Sequence, residues 1–232
     1  MSMRFTRGWR DAARASEHCA EPAMIARLFV QTLGWLATIG ALLFAAAGTL
    51  AWPAAWLYLL ELGAAGLWVG LWLARVDPAL LAERMGPFVS RSQRPWDRVF
   101  MACVAIGFCA WLGLIGVEAV RFRGSHVPLW LSAAGAVAVL VDFWLTRLVF
   151  RANRFAAPVV KIQSERGHAL TDTGPYAIVR HPMYGAAILY LAGTPLMLGS
   201  WWGLACVPLM VAALGYRAYL QRVRYRFVPG IW

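Results

Sequence analysis

Long apolar segments alternate along this chain with shorter segments that are rich in arginine. Residues 28–60 contain no charged side chain. One helix through all of them would be about 50 Å long at about 1.5 Å per residue, whereas the hydrocarbon core of a bilayer is about 30 Å thick. Because proline ends helices, Trp52-Pro53 offers a break. We therefore predict a first span over residues 24–50 and a second over residues 54–74.

Two further spans and a helical hairpin follow from the same pattern. The apolar residues predict a third span over residues 98–118 and a fourth over residues 127–147. Residues 182–216 form another segment without charge, and glycines interrupt it. Since glycine favours turns, we expect two short or kinked helices that turn near residues 199–203. The predicted fold is all-α and integral to the membrane, with four transmembrane helices and a C-terminal helical hairpin.

The composition changes this picture little. Hydrophobic residues make up 61% of the 232 residues and charged residues 14%, whereas soluble domains average about 45–50% and about 25%. A disordered chain is thereby excluded, and a soluble globular domain is disfavoured. The four cysteines form no Cys-x-x-Cys pair, so we expect neither a zinc site nor another metal site.

The distribution of arginine predicts the orientation of the chain in the membrane. The net charge is +11, and Lys161 is the one lysine among 22 basic residues. All of these basic residues except Arg121 and Arg123 lie on one side of the predicted spans. The positive-inside rule therefore predicts that both termini and both long loops are cytoplasmic. This pattern favours contact with membrane lipids, and no separate basic domain is present to bind nucleic acid.

Polar residues are concentrated in residues 153–184, which divides the chain by composition. We expect a cytoplasmic N-terminal segment over residues 1–23, a four-span region over residues 24–150 and a functional region over residues 151–232.

The most informative motif in the functional region is Arg180-His181-Pro182-Met183-Tyr184. Proline suits the first position of a helix, so Arg180 and His181 are predicted at a helix N-terminus, where anions bind. A guanidinium there adds a bidentate partner for a carboxylate or phosphate. From the residues alone, a second interpretation stays open: Arg180 only flanks a span, and His181 is an ordinary polar residue.

The string GHALTDTGPYAIVRHPMY, residues 167–184, resembles the isoprenylcysteine carboxyl methyltransferase family, and the final GYRAYLQRVRYRFVPGIW resembles the same family's tail. This resemblance, over residues 150–232, implies an integral membrane methyltransferase of the bacterial inner membrane with a cytosolic cofactor pocket. The implied cofactor is S-adenosylmethionine, and S-adenosylhomocysteine is the product. The implied acceptor is membrane-embedded or lipid-linked: the carboxylate of a prenylcysteine-like group, or a related oxygen, sulfur or nitrogen atom.

The resemblance also implies site residues. Catalytic roles fall to Arg180, His181 and Tyr184. The cofactor pocket would be lined by Gln163, His168, Ala169, Leu170, Thr171, Tyr176, His181, Pro182, Met183 and Tyr184. A carboxylate or thiolate acceptor needs alignment and exclusion of water rather than a general base, so we assign no base.

The chain departs from the family pattern in one place. The family has an arginine and two adjacent glutamates before its terminal Gly-x-x-Tyr, whereas here Leu214 leads directly to Gly215-Tyr216 and no acidic residue follows Asp172. One alternative is therefore an inactive relative that lacks this acidic segment. Another is an NADPH enzyme of the sterol-reductase-like type, which shares the helical bundle and an Arg-His-Pro string.

Overall fold

In a computed structural model, the described residues are 5–86, 95–122, 124, 126–153, 173–179 and 181–220, with backbone alone for residues 5–21, 95–96 and 217–220. These residues are mainly helical, and none of them forms a strand. The helices are α1 Phe5–Ala47, α2 Pro53–Val76, α3 Pro78–Arg84, α4 Pro95–Gly116, α5 Leu129–Ala152, α6 Pro182–Leu198, α7 Trp201–Ala205 and α8 Val207–Leu220. A π-helical turn, Val117–Phe122, extends α4, and a 3-10 turn, Gly174–Ala177, precedes α6.

Four segments are long and apolar enough to cross a membrane, which confirms the four predicted spans. They are Pro22–Ala47, Pro53–Val76, Asp97–Phe122 and Leu129–Ala152. The chain is therefore an all-α integral membrane protein. The predicted N-terminal segment, residues 1–23, continues α1 as a helical backbone from Phe5. Its cytoplasmic side remains a prediction.

Local chemistry explains two shifted boundaries. The first span was expected to reach residue 50, but α1 ends at Ala47 because Gly48 adopts a φ of 73°, a left-handed conformation that glycine tolerates. The fourth span was expected to end at residue 147, but α5 continues to Ala152. The Arg147 guanidinium lies over the rings of Trp68 and Trp72, 4.9 and 4.8 Å from their centroids, which accommodates its charge beside the apolar helices.

Helices α5 and α6 pack against each other over much of their length. A Cβ atom added to Gly193 would lie 2.6 Å from the carbonyl oxygen of Gly135. A Cβ atom added to Gly135 would meet the Gly193 carbonyl at 2.7 Å. Small residues permit such close approach of membrane helices. This crossing attaches α6, and the segment that leads into it, to α5.

The helices enclose two groups of buried side chains. The first, here the central cluster, lies around Leu43, Tyr58, Leu112, Ile115 and Leu198. The second, here the basal cluster, comprises Leu28, Val69, Leu73, Ala74, Leu80, Leu81, Met85, Val149 and Phe150. The basal cluster joins α1, α2 and α3 to the end of α5.

The structure confirms the C-terminal hairpin and its turn. Helix α6 ends at Leu198, Gly199 has a φ of 85°, and Ser200 caps α7 by accepting a hydrogen bond from the Gly203 N–H. The Ser200 hydroxyl also donates to the carboxyl of Glu118, which accepts from the Trp202 N–H at 3.0 Å. The turn is thus tied to the π-helical end of α4.

Candidate functional site

The candidate site lies at the first turn of α6. Pro182 is buried at the first helical position and His181 is the N-cap residue. The His181 carbonyl accepts from the N–H groups of Tyr184 and Gly185, at 3.0 and 3.3 Å. The predicted helix start at Pro182 is therefore confirmed. The His181 side chain makes no capping hydrogen bond to the backbone, and it is exposed.

His181 and Tyr184 form a stacked pair. Their ring centroids are 5.3 Å apart and their planes differ by 23°. The pair forms because residues three apart in a helical turn share a face. Tyr184 is half-buried and His181 is exposed, so the pair combines a fixed ring with an accessible one. The face of a tyrosine ring attracts cations, and both rings can stack on another planar ring.

Tyr176 is positioned by a contact between distant parts of the sequence. Its hydroxyl accepts a hydrogen bond from the side-chain amide of Asn153, 3.1 Å away, and Asn153 is the C-cap residue of α5. The 3-10 turn that carries Tyr176 begins at Gly174, whose φ is 59°. Asn153 was not among the sequence-predicted site residues, although its place at the start of the polar segment marked it.

The basal cluster packs against both the 3-10 turn and the first turn of α6. Tyr176 and Met183 both pack against it, so the 3-10 turn and the first turn of α6 rest on the same apolar surface. The end of α5 contributes Val149 and Phe150 to that surface. Three chain segments are thereby fixed relative to one another at one end of the bundle.

The described residues thus bring together five of the predicted site residues, with different exposures. His181 is exposed, Tyr176, Met183 and Tyr184 are half-buried, and Pro182 is buried. The burial of Pro182 points to a role in starting the helix. The remaining predicted residues lie outside the described part of the chain: Gln163, His168, Ala169, Leu170, Thr171 and Arg180.

The chain resembles known methyltransferases in this region. The sequence profile of the family described as phospholipid methyltransferase matches residues 130–223, which run from α5 to beyond α8. Protein-S-isoprenylcysteine O-methyltransferase B of Arabidopsis thaliana is 29% identical over 112 residues, 47% of this chain and 53% of that protein. The A form of the same plant is 28% identical over the same shares.

A third relative comes from rice. The probable protein-S-isoprenylcysteine O-methyltransferase of Oryza sativa subsp. indica is 30% identical over 112 residues, 47% of this chain and 55% of that protein. The chain spans about half the length of the curated relatives it matches. No solved structure matches it significantly. These relatives confirm the resemblance seen in the sequence motifs, and the profile match lies in the C-terminal part of the chain.

Proposed function

We propose that the protein transfers a methyl group from S-adenosylmethionine to a membrane-embedded or lipid-linked acceptor, such as the carboxylate of a prenylcysteine-like group. One observation carries this proposal: the stacked rings of His181 and Tyr184 stand at the start of α6, inside the region that the methyltransferase profile matches. The names of the curated relatives, which specify isoprenylcysteine O-methylation, support the acceptor class.

The described residues fit parts of this cofactor. Its sulfonium is a cation that the ring face of Tyr184 can attract, and its adenine is a planar ring that can stack on His181 or Tyr184. Its carboxylate suits the positive end of α6, where backbone N–H groups begin the helix. We propose that Gln163, His168, Ala169, Leu170, Thr171, Tyr176, His181, Pro182, Met183 and Tyr184 form the pocket.

The protein's part in the reaction is to align the acceptor with the methyl group and to exclude water. Bound S-adenosylmethionine supplies a methyl group that the sulfonium activates. The Asn153–Tyr176 hydrogen bond holds the 3-10 turn against the end of α5, so the proposed pocket is pre-organised on one side. A carboxylate acceptor is already nucleophilic, and its rate gain comes from alignment in a dry site. No residue needs to move a proton.

The membrane helices support a lipid-like acceptor. The proposed pocket lies at one end of a bundle with four membrane-crossing segments, so a prenyl chain can remain in the bilayer while its polar end reaches α6. We propose that this end is cytoplasmic and that the membrane is the bacterial inner membrane, since the basic residues are concentrated on this side.

A second candidate, an inactive relative, is favoured by a specific observation. From Thr173 to Leu220 the chain contains no aspartate or glutamate, so α6, α7 and α8 offer no carboxylate to the amino or ribose groups of a cofactor. In an active enzyme another segment must supply such a group, or the site must bind without one.

Calorimetry separates these candidates. The full chain, purified in detergent, is titrated with S-adenosylmethionine and, separately, with NADPH. We expect saturable binding of S-adenosylmethionine that weakens about tenfold or more in His181→Ala, because one ring of the stacked pair is lost. His126→Ala is the matched control, since His126 is also exposed but lies outside the matched region.

The other binding results would favour one of the two alternatives. Folded, monodisperse protein that binds neither compound would contradict the proposal and favour the inactive relative. Binding of NADPH alone would favour the reductase. If S-adenosylmethionine binds, transfer of labelled methyl to N-acetyl-S-farnesylcysteine tests the acceptor class.

A further inference from the structure

Three hydroxyl groups form a connected chain inside the helical bundle. The hydroxyls of Tyr58 on α2 and Tyr190 on α6 lie 2.7 Å apart, and the Tyr58 hydroxyl also lies 3.3 Å from that of Thr194. The Thr194 hydroxyl donates to the Tyr190 carbonyl at 2.8 Å. These three residues, here the hydroxyl network, link α2 to two successive turns of α6, and Tyr58 and Thr194 are fully buried.

The direction of each hydrogen bond in the network follows from the number of protons. A hydroxyl group has one proton to donate. Because Thr194 gives its proton to the Tyr190 carbonyl, its oxygen accepts from Tyr58. The proton of Tyr58 is then engaged, so Tyr190 is the donor in the bond between the two tyrosines. The network therefore runs from Tyr190 to Tyr58, on to Thr194 and back to the backbone of α6.

The apolar surroundings of the network make its geometry specific. Tyr58 belongs to the central cluster, Tyr190 packs against that cluster, and the Phe108 ring stacks on Tyr190 with the centroids 6.5 Å apart. In the hydrocarbon region no water replaces a lost partner. Apolar packing tolerates small shifts, whereas a satisfied polar network specifies one arrangement. The network thus fixes the depth and the rotation of α6 relative to α2.

The network is connected to the candidate site along α6. This helix is continuous over Pro182–Leu198, and Tyr184 precedes Tyr190 by about 9 Å along the axis at about 1.5 Å per residue. A shift of Tyr190 therefore moves Tyr184 as well. Pro195 directly follows the network and has no N–H to donate within the helix, and helices bend most readily at such a residue. The network holds the part of α6 before this proline, which includes the first turn.

We propose that Tyr58 is a positioning residue for the candidate site and acts through the hydroxyl of Tyr190. It sets the depth at which the stacked rings of His181 and Tyr184 stand at the start of α6. Tyr58 lies outside residues 130–223, which the methyltransferase profile matches, so α2 contributes to a site that the C-terminal part of the chain carries. Because the site is the proposed cofactor site, this role rests on the proposed function.

Thermal unfolding of the full chain in detergent tests the direction of the network. Tyr58→Phe leaves the Tyr190 hydroxyl without its acceptor, whereas in Tyr190→Phe the Tyr58 hydroxyl still donates to Thr194. The double variant Tyr58→Phe/Tyr190→Phe leaves neither tyrosine hydroxyl to satisfy, which costs little. We expect the unfolding temperature to fall by about 2–4 °C in Tyr58→Phe and by less than about half of that in the other two variants.

Calorimetry with S-adenosylmethionine separates positioning from stability. In the double variant the stability recovers, but no hydrogen bond specifies the depth of α6, so we expect the affinity to stay lowered about fivefold, as in Tyr58→Phe. A purely structural role predicts that the affinity recovers together with the stability. Trp111→Phe is the matched control, because it removes a buried side-chain hydrogen bond to Gly203 on α7. It should lower the unfolding temperature and change the affinity by less than about twofold.

Double electron–electron resonance measures the position of α6 without any cofactor. Spin labels are attached to Gly185→Cys on α6 and Ala64→Cys on α2, in a full chain whose four native cysteines are replaced. Both positions are exposed, and a side chain at Gly185 has open space around it. We expect the distance distribution to broaden or shift by about 1.5 Å or more, the rise of one helical residue, in the double variant and not in Trp111→Phe.

Three results would overturn the proposal. They are equal unfolding temperatures of Tyr58→Phe and Tyr190→Phe, full cofactor affinity in the double variant, and a distance distribution that the double variant leaves unchanged. If the unaltered chain binds no S-adenosylmethionine, the proposed function fails by itself. The distance distribution then still decides whether Tyr58 holds α6 in place.

Discussion

The two ends of the helical bundle use polar side chains in opposite ways. At the hairpin turn, Glu118 and Ser200 are buried and hydrogen-bonded to each other, and Trp111 donates to the Gly203 carbonyl at 2.8 Å. At the start of α6, His181 is exposed and stacks on Tyr184.

This difference separates structure from function. A polar group buried among apolar helices must find its partner within the protein, so the Glu118 cluster fixes one geometry. An exposed ring at a helix N-terminus keeps one face accessible, which is what ligand binding requires. Polarity alone therefore does not distinguish the candidate site from the Glu118 cluster, whereas accessibility at a fixed position does.

Removing Glu118 should have the largest effect and should act on stability alone. Glu118→Ala leaves the Ser200 hydroxyl and the Trp202 N–H without their acceptor, at a cost of about 2–4 kcal/mol. Thermal unfolding followed by circular dichroism measures this loss. Glu118→Gln retains an acceptor oxygen and should lose about half as much. An unchanged unfolding temperature in Glu118→Ala would refute the structural role.

Replacing Gly193 with a larger residue should affect both the hairpin turn and the start of α6, because it changes the α5–α6 crossing. A Cβ at this position lies 2.6 Å from the Gly135 carbonyl, so Gly193→Ala should destabilise the protein by about 1–3 kcal/mol and weaken S-adenosylmethionine binding. Thermal unfolding and calorimetry measure the two effects. Gly185→Ala is the control on the same helix, because its added Cβ meets no atom within 4 Å. Equal stability of the two variants would contradict the close packing.

Removing the Asn153 amide should have the smallest effect on stability and a clear one on the site. Asn153→Ala deletes the hydrogen bond to Tyr176, worth about 0.5–1.5 kcal/mol. We expect cofactor affinity to fall about threefold, measured by calorimetry, because the 3-10 turn loses its link to α5. Tyr176→Phe removes the acceptor of the same hydrogen bond and should lower the cofactor affinity by the same factor. Full affinity in both variants would show that this bond does not position the pocket.

The spans and the start of α6 could be predicted from the sequence because both depend on local chemistry. The four apolar segments are long enough to predict spans from composition alone, and Pro182 has a strong preference for a first helical position. Helix α3, Pro78–Arg84, was not predicted, since seven residues are too few for a clear hydrophobic periodicity.

The sequence by itself determined the membrane class, the hairpin, the concentration of basic residues on one side of the spans and the resemblance to a methyltransferase family, because hydropathy, charge and motifs are properties of single segments. Only the tertiary structure decided which distant residues meet. It joined Asn153 to Tyr176, Glu118 to Ser200 and Tyr58 to Tyr190. Such pairings depend on how helices cross, and the crossings depend on packing at positions such as Gly135 and Gly193.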